Sequence, residues 1–172
     1  VYRFENCSTV KTLQFYATNL GAINFPINGF TNTSLTSLDL RYTSIKGGVE
    51  GDESEVIKQN TFSSCPNLQF IYIDSPNLLA EEINSDAFKL NPQLVYFWIR
   101  SNNRVTGNLP DFSANTNLTS LFLERNNFTG VLPNFGSNQS INYVNVTHNS
   151  FSGQIPPFIN LSNLRQLLLN NN

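Results

Sequence analysis

Residues 118–133 of this 172-residue chain read LTSLFLERNNFTGVLP, with leucine at positions 118, 121, 123 and 132. The spacing L-x-x-L-x-L recurs along the chain, and we number each copy from its first apolar residue. These first residues are Val10, Leu35, Leu68, Leu94, Leu118, Ile141 and Leu164. Large apolar residues also stand three and five positions later in every copy. Self-similarity at a nearly constant period predicts a repeat architecture.

The alternation of apolar residues in each copy predicts a short β-strand with its leucines inside and the intervening residues in solvent. One copy is too small to fold alone, so neighbouring copies must stack. We therefore predict a single solenoid over residues 1–172 with about seven repeats. Its curved parallel β-sheet should form the concave face, and its convex side should be mostly irregular or 3₁₀ with little α-helix. Neither end has a polar capping segment, so we expect a longer array.

Two further positions repeat with the strands. Phenylalanines stand six residues before most copies and should stack beneath the convex side. They are Phe4, Phe62, Phe88, Phe112, Phe135 and Phe158, with Phe30 one residue out of step. Asparagines stand eight residues after four of the first residues, and their amides should satisfy backbone groups at the strand end. They are Asn102, Asn126, Asn149 and Asn172.

Two stretches interrupt the rhythm. Residues 46–61 hold extra residues that include Glu50, Asp52, Glu53 and Glu55. Their spacing lacks the full ligand pattern of a calcium loop, so we predict a solvated loop. Residues 79–87 contain the sequence LAEEI and suggest a helical turn.

The two cysteines, Cys7 and Cys65, both stand three residues before a copy begins. Equivalent positions two turns apart are separated by at least ~9–10 Å, because neighbouring strands are ~4.8 Å apart. A disulfide needs shorter Cα separations. We predict two free, buried thiols.

Sequons for N-glycosylation, N-x-S/T, are frequent in this chain. They begin at Asn6, Asn32, Asn117, Asn127, Asn138, Asn145 and Asn160. Because Asn, Ser and Thr are abundant, most of these motifs arise from composition, and we treat most of them as accidental.

The composition excludes several classes of function. A net charge of −2 with 13% charged residues provides no basic surface for nucleic acid. No apolar run is long enough to insert into a membrane. The chain has one histidine, two cysteines predicted to be buried and no phosphate-binding glycine loop. We therefore expect no catalytic residues, no metal site, no cofactor and no enzymatic activity.

The predicted strand phase shows which side chains face the concave surface, and aromatic residues concentrate there on copies three to six. The candidate ligand-binding residues are Phe70, Tyr72, Tyr96, Trp98, Arg100, Phe122, Glu124, Arg125, Tyr143 and His148. Exposed aromatic patches rimmed by charge mark binding sites, and Trp, Tyr and Arg dominate binding energy. Flat rings also stack on sugars, so the expected partner is a protein or a cell-surface glycan.

Two other interpretations of these aromatic residues stay open. Rings on neighbouring strands stabilise a sheet by pairing with each other. Alternatively, another part of the same assembly covers the face, and the solenoid acts as a structural spacer.

The segments 126–133 and 149–156, NNFTGVLP and NSFSGQIP, resemble extracellular leucine-rich repeats of the plant type. That family includes receptor-like kinase ectodomains and polygalacturonase-inhibiting proteins. The resemblance implies a curved solenoid that binds ligands on its concave or lateral face. It covers nearly the whole chain.

The chain also departs from the plant pattern. Its regular copies run 23 residues instead of 24, and segments 61–68 and 86–94 look more like bacterial surface repeats. The mixture is similar to repeats in structural proteins of marine bacteriophages. Our first hypothesis is a non-enzymatic recognition or adhesion module of a larger surface or virion protein, located extracellularly or on the virion surface. A plant-type receptor ectodomain or polygalacturonase-inhibitor-like protein is the alternative.

Overall fold

The computed structural model describes residues 8–15, 30–31, 34–43, 55–74, 82–100, 104–136, 138–159 and 161–172. These residues form eleven β-strands and no helix. Some predictions fall on residues outside these ranges. They concern Phe4, Cys7, Asn102, residues 46–54 and residues 79–81.

Seven strands build the main sheet. They are Thr12–Gln14 (β1), Ser37–Arg41 (β2), Phe70–Asp74 (β4), Tyr96–Ile99 (β6), Ser120–Phe122 (β8), Tyr143–Asn145 (β10) and Gln166–Leu168 (β11). All pairings are parallel, in the order β1-β2-β4-β6-β8-β10-β11. Each strand lies on a predicted L-x-L segment, so the predicted solenoid with a parallel sheet is confirmed.

Two smaller parallel sheets lie outside the main sheet. One pairs Glu55–Ile57 (β3) with Glu82–Ile83 (β5), and the other pairs Thr106–Gly107 (β7) with Asn127–Phe128 (β9). Two predictions are therefore wrong. Residues 55–57 are a strand rather than solvated loop, and residues 82–83 are a strand rather than part of a helical turn. The side chains of Ile57 and Ile83 are 0% and 5% exposed, so packing between turns outweighed local helix propensity.

The core is made by the inward residues of the main sheet and by the phenylalanine column. Leu38, Ile71, Phe97, Leu121 and Val144 are all fully buried. The ring centroids of Phe62 and Phe88 are 6.2 Å apart, and those of Phe88 and Phe112 are 5.6 Å apart. Phe30 continues the column through its contact with Phe62, and Phe135 stacks on Phe158 as a separate pair. The predicted stacking is confirmed from Phe30 to Phe112 and for the pair of Phe135 and Phe158.

Asparagines eight residues after a copy begins connect one turn to the next. The Asn126 Nδ2 atom donates to the carbonyl oxygens of Ile99 and Leu123 at 2.8 and 3.0 Å. Asn149 and Asn172 repeat this pattern one and two turns later. The backbone N–H of Phe128 in turn donates to the Asn149 Oδ1 atom. The prediction that these amides satisfy strand-end backbone groups is confirmed.

A second ladder of buried amides was not predicted. It runs through Asn91, Asn115 and Asn138, three residues before each copy. The Asn115 Nδ2 atom donates to the carbonyl oxygens of Phe88 and Asn91 at 3.0 and 2.8 Å, and Asn138 donates to the Asn115 carbonyl at 2.8 Å. Each amide therefore stitches its turn to the preceding one.

Cys65 occupies the same ladder position one turn earlier. Its thiol lies 3.2 Å from the Phe30 carbonyl oxygen, which it can reach as a weak donor. Cys65 is not part of a disulfide and is fully buried, as predicted. The thiol thus replaces an amide in a position that needs a small buried donor.

Candidate functional site

Six aromatic side chains meet on the outward side of β4, β6, β8 and β10. We call this set the ring ladder: Phe70, Tyr72, Tyr96, Trp98, Phe122 and Tyr143. The strand register pairs Tyr72 with Trp98 and Trp98 with Phe122. All six residues are half-buried. Strand phase alone therefore brings the predicted aromatic residues onto one surface.

The rings of this ladder are in direct contact. The Trp98 ring centroid lies 5.8 Å from that of Tyr72 and 5.4 Å from that of Phe122. Phe122 also contacts Tyr96 and Tyr143, at 5.3 and 4.6 Å. These separations fall in the range where aromatic pairs attract. The ladder is one continuous aromatic surface rather than a set of isolated rings.

Charged residues lie next to the ring ladder. We call them the charged border: Asp39, Arg41, Asp74, Arg100 and Glu124. Arg41 donates twice to the Asp39 carboxylate, at 2.9 and 2.7 Å. Arg100 lies 3.3 Å from a Glu124 oxygen and 3.7 Å from an Asp74 oxygen. Each guanidinium is thereby held in place beside the rings.

Both arginines of the charged border stack on the ladder. The Arg100 Cζ atom lies 4.4 Å from the Trp98 ring centroid. The Arg41 Cζ atom lies 5.0 Å from the Tyr72 ring and 5.6 Å from the Trp98 ring. Cation–π attraction at such distances orders both groups. Trp98 is therefore the centre of the surface, in contact with two cations and two further rings.

Burial and neighbouring charge shift the pKa values of Asp39 and Asp74 in opposite directions. Burial raises the pKa of Asp39, but the hydrogen bonds and charge of Arg41 outweigh it, so the pKa lies below its ordinary value. Burial raises the pKa of Asp74 above its ordinary value, and Arg100 offsets only part of this rise. Burial also raises the pKa of Tyr72. Arg41 therefore stabilises the charged form of Asp39 more effectively than Arg100 stabilises that of Asp74.

Trp98 and Glu124 each have a buried polar atom that makes no hydrogen bond among the described residues. These atoms are Nε1 of Trp98, a donor, and Oε2 of Glu124, an acceptor. Buried polar atoms are normally paired, and exceptions need an explanation. A bound partner with complementary groups would satisfy both atoms.

Arg125 and His148 do not join the ring ladder. Their backbone φ angles are 59° and 56°, and the equivalent Tyr42 and Asn171 have 58° and 59°. This left-handed conformation is uncommon outside glycine and asparagine and ends the strand direction. Both side chains are exposed, and the His148 ring lies 3.2 Å from the Asn171 amide. The sequence prediction grouped them with the site because it assumed that the strand continued.

The sequence prediction also missed Asp39 and Arg41 as members of the site. Both lie in the outward columns of β2, one strand before the first ring pair. The outward residues of β1 and β2 are not aromatic, so the aromatic pattern did not point to β2. The sequence did contain a signal for them: Asp39 and Arg41 are two positions apart on one strand, and alternate residues of a strand share a face.

Among the described residues, no group of three or more His, Cys, Asp and Glu side chains is placed to hold a metal ion. A cavity of about 200 Å³ lies elsewhere, near Phe151, Ile155 and Leu169. In the part of the chain that the structure describes, no helix has the length and apolarity to cross a bilayer.

Comparison with known families gives one match. A model described as Leucine Rich Repeat matches residues 117–138. That segment spans β8, β9 and the first resemblance segment of the sequence analysis. No curated protein sequence gives a significant match.

Solved structures share the architecture over most of the chain. The ectodomain of the Arabidopsis receptor kinase HAESA, in complex with an IDA peptide hormone, has a TM-score of 0.68 and 20% identity, covering 90% of this chain and 24% of that one. The plant peptide hormone receptor RGFR1, in complex with RGF2, has a TM-score of 0.62 and 25% identity, covering 95% and 28%. Internalin C2 from Listeria monocytogenes has a TM-score of 0.56 and 18% identity, covering 93% and 80%. The chain thus spans about a quarter of the two plant receptor chains.

Proposed function

Since the chain has the leucine-rich repeat fold, we propose that it is a non-enzymatic protein-binding module whose partner contacts the ring ladder and the charged border. The observation that carries this proposal is the continuous contact of six half-exposed rings around Trp98. Trp, Tyr and Arg are the residue types that dominate binding energy at protein interfaces. All three types meet at Trp98, Tyr72 and Arg100.

Strand pairing by itself does not require these rings. The outward residues of β1 are Thr12 and Gln14, and they pair in register with Ser37 and Asp39 of β2, so these two strands pair without an outward aromatic residue. Inward packing of Leu38 and its equivalents is common to all turns. The rings therefore supply more than sheet stability, which favours a partner over the packing interpretation.

The shape of the surface favours a macromolecular partner. The rings lie on an open sheet face, and none of them lines the 200 Å³ cavity. An extended protein segment can cross the strands and contact several rings in turn. The HAESA ectodomain is in complex with an IDA peptide hormone, and the peptide hormone receptor RGFR1 is in complex with RGF2, which supports a protein partner over a glycan.

We further propose that the module is part of a larger extracellular polypeptide or assembly. The receptor ectodomains among the similar structures support this location. The virion-surface hypothesis rests on the sequence resemblance alone. A plant-type receptor role rests on the same resemblance together with the shared fold, and the two hypotheses predict the same concave contact.

Trp98 is the only tryptophan of the chain, so its fluorescence reports directly on the proposed site. Immobilised protein is used to select ligands from a displayed random-peptide library and, in parallel, from a glycan array. Selected ligands are then titrated while tryptophan emission is recorded. We expect peptide ligands that change Trp98 emission on binding.

The decisive comparison uses matched variants. Trp98→Ala and Tyr72→Ala should each weaken binding of the selected peptide at least ~10-fold, as for other buried aromatic anchors. Thr12→Ala, at an exposed outward residue on β1 two strands away from Phe70, should leave the affinity unchanged. Equal binding by Trp98→Ala and wild type would overturn the proposal. Ligands recovered only from the glycan array would support the glycan alternative, and recovery from neither source would support the structural spacer.

A further inference from the structure

The structure separates four of the sequons that the sequence alone could not rank, those at Asn117, Asn127, Asn138 and Asn145. Asn138 is 1% exposed. Its Nδ2 atom donates to the Asn115 carbonyl, and its Oδ1 atom accepts from the backbone N–H of Ser140. A sugar on this nitrogen would have to occupy the interior and would interrupt the amide ladder. Asn138 must therefore be unmodified in the folded protein.

Asn145 and Asn117 are also poor acceptors in this fold. Asn145 is half-buried on the outward side of β10, in register with Phe122 of the ring ladder. Its Oδ1 atom accepts from both the N–H and the hydroxyl of Thr147, at 3.1 and 2.9 Å. Asn117 is exposed, but its Nδ2 atom lies 3.3 Å from the Pro92 carbonyl oxygen, within hydrogen-bond reach of the preceding turn.

Asn127 differs from these three residues. It begins β9, where the intervening Phe128 is fully buried, so Asn127 and Thr129 share the outward side of the strand. Asn127 is exposed. Its Oδ1 atom accepts from the Ser150 hydroxyl at 3.1 Å, which orients the amide. Its Nδ2 atom makes no hydrogen bond among the described residues; the same holds for Asn145, so exposure is what separates Asn127 from the half-buried Asn145.

From this geometry we propose that Asn127, in the sequon Asn127-Phe128-Thr129, is an N-glycan acceptor. The co-reactant is a lipid-pyrophosphate-linked oligosaccharide of a secretory pathway. The amide Nδ2 forms a bond to the anomeric carbon, the sugar–phosphate bond breaks, the lipid pyrophosphate leaves, and one amide proton passes to a base. Because β9 is not part of the main sheet, a glycan there leaves the ring ladder open. The proposal does not depend on the proposed concave function.

The test is secretion of the 172-residue chain behind a leader peptide from eukaryotic cells, followed by glycopeptide mass spectrometry of the folded, secreted monomer. We expect a glycan at Asn127 and none at Asn138. Thr129→Val, which removes the sequon hydroxyl, should lose one glycan from the intact mass. Ser152→Ala, the equivalent position one turn later without a preceding Asn, should lose none.

A gain of modification provides the converse test. Ser150 has the same backbone pairing as Asn127, since the N–H groups of Ser150 and Ser152 donate to Phe128 and Gly130 as those of Asn127 and Thr129 donate to Val105 and Gly107. Ser150→Asn creates the sequence Asn-Phe-Ser there and should add one further glycan. If secretion fails, Ser140→Ala, which removes only the buried sequon, is used as the parent for all variants. An unmodified Asn127 in folded, secreted protein, or a modified Asn138 in that fraction, would overturn the proposal.

Discussion

Phe97 and Trp98 are neighbours in β6, yet they face opposite sides of the main sheet. Phe97 is fully buried, with its ring 4.8 Å from Phe88 and 5.8 Å from Phe112. Trp98 is half-buried and contacts other rings and two guanidinium groups. The inner position is occupied by a large apolar residue in every turn, whereas the outer position ranges from Gln14 to Trp98. The inner face thus carries the fold, and the outer face is free to carry recognition.

The largest expected effect is a difference in stability between variants of Phe97 and Trp98. Phe97→Ala should cost about 3–5 kcal/mol in the free energy of unfolding, because it leaves a cavity against Phe88 and Phe112. Trp98→Ala should cost about 1–2 kcal/mol, since it removes ring and cation–π contacts at a half-exposed site. Urea denaturation monitored by circular dichroism measures both values. Equal losses would contradict the division between an inner structural face and an outer binding face.

The second effect concerns the buried amide ladder. Asn115→Ala should cost about 1–3 kcal/mol, because the carbonyls of Phe88 and Asn91 lose their donor in the interior. The exposed Asn117→Ala serves as the control and should change stability by less than about 0.5 kcal/mol. The same denaturation measurement applies. A negligible loss for Asn115→Ala would show that the ladder does not stabilise the stack.

The third prediction concerns pH and distinguishes the two acids of the charged border. The pKa of Asp39 is lowered on folding, so its stabilisation is present above its ordinary value of 3.8 and is lost as the pH falls through the folded pKa. The pKa of Asp74 is raised, so its relative stabilisation is present below 3.8 and is lost as the pH rises through the folded pKa.

Thermal denaturation of Asp39→Asn and Asp74→Asn between neutral pH and pH 3 checks this difference. The stability deficit of Asp39→Asn relative to wild type should shrink as the pH falls, whereas that of Asp74→Asn should grow. Parallel trends for the two variants would show that Arg41 and Arg100 do not distinguish the acids as the geometry indicates.

The smallest expected effect concerns the left-handed turn after the strands. Arg125→Asn should stabilise the fold by up to about 1 kcal/mol, because asparagine tolerates a φ of 59° better than arginine. Arg104→Asn, at an exposed residue without a positive φ, should give no such gain. Thermal denaturation of both variants and the wild type measures the two changes in melting temperature. Equal shifts would show that backbone strain at position 125 is negligible.

Much of this architecture was predictable because the repeat is local. The L-x-L pattern predicted the position of every main-sheet strand, and hence which six rings share a surface. The periodic phenylalanines and the strand-end asparagines were predictable for the same reason. Their roles depend on one contact repeated from turn to turn.

The errors arose where one turn differs from the next. Residues 55–57 and 82–83 became strands because Ile57 and Ile83 pack between turns, which no local pattern indicated. Arg125 and His148 have a left-handed backbone conformation and do not contact the ring ladder, and their part in ligand binding stays a prediction. Arg41 lies on Tyr72 and Trp98 of the following strands, and Asp39 joins the surface through its ion pair with Arg41.

Sequence alone determined the stacking, the strand phase and the aromatic composition of the outer face, because alternation in a strand assigns each side chain to one side of the sheet. Only the tertiary structure decided which charges meet the rings, which buried positions carry the amide ladder and which sequon asparagines are exposed or buried. Those outcomes depend on distances between residues of different turns, and turns of unequal length set these distances in three dimensions.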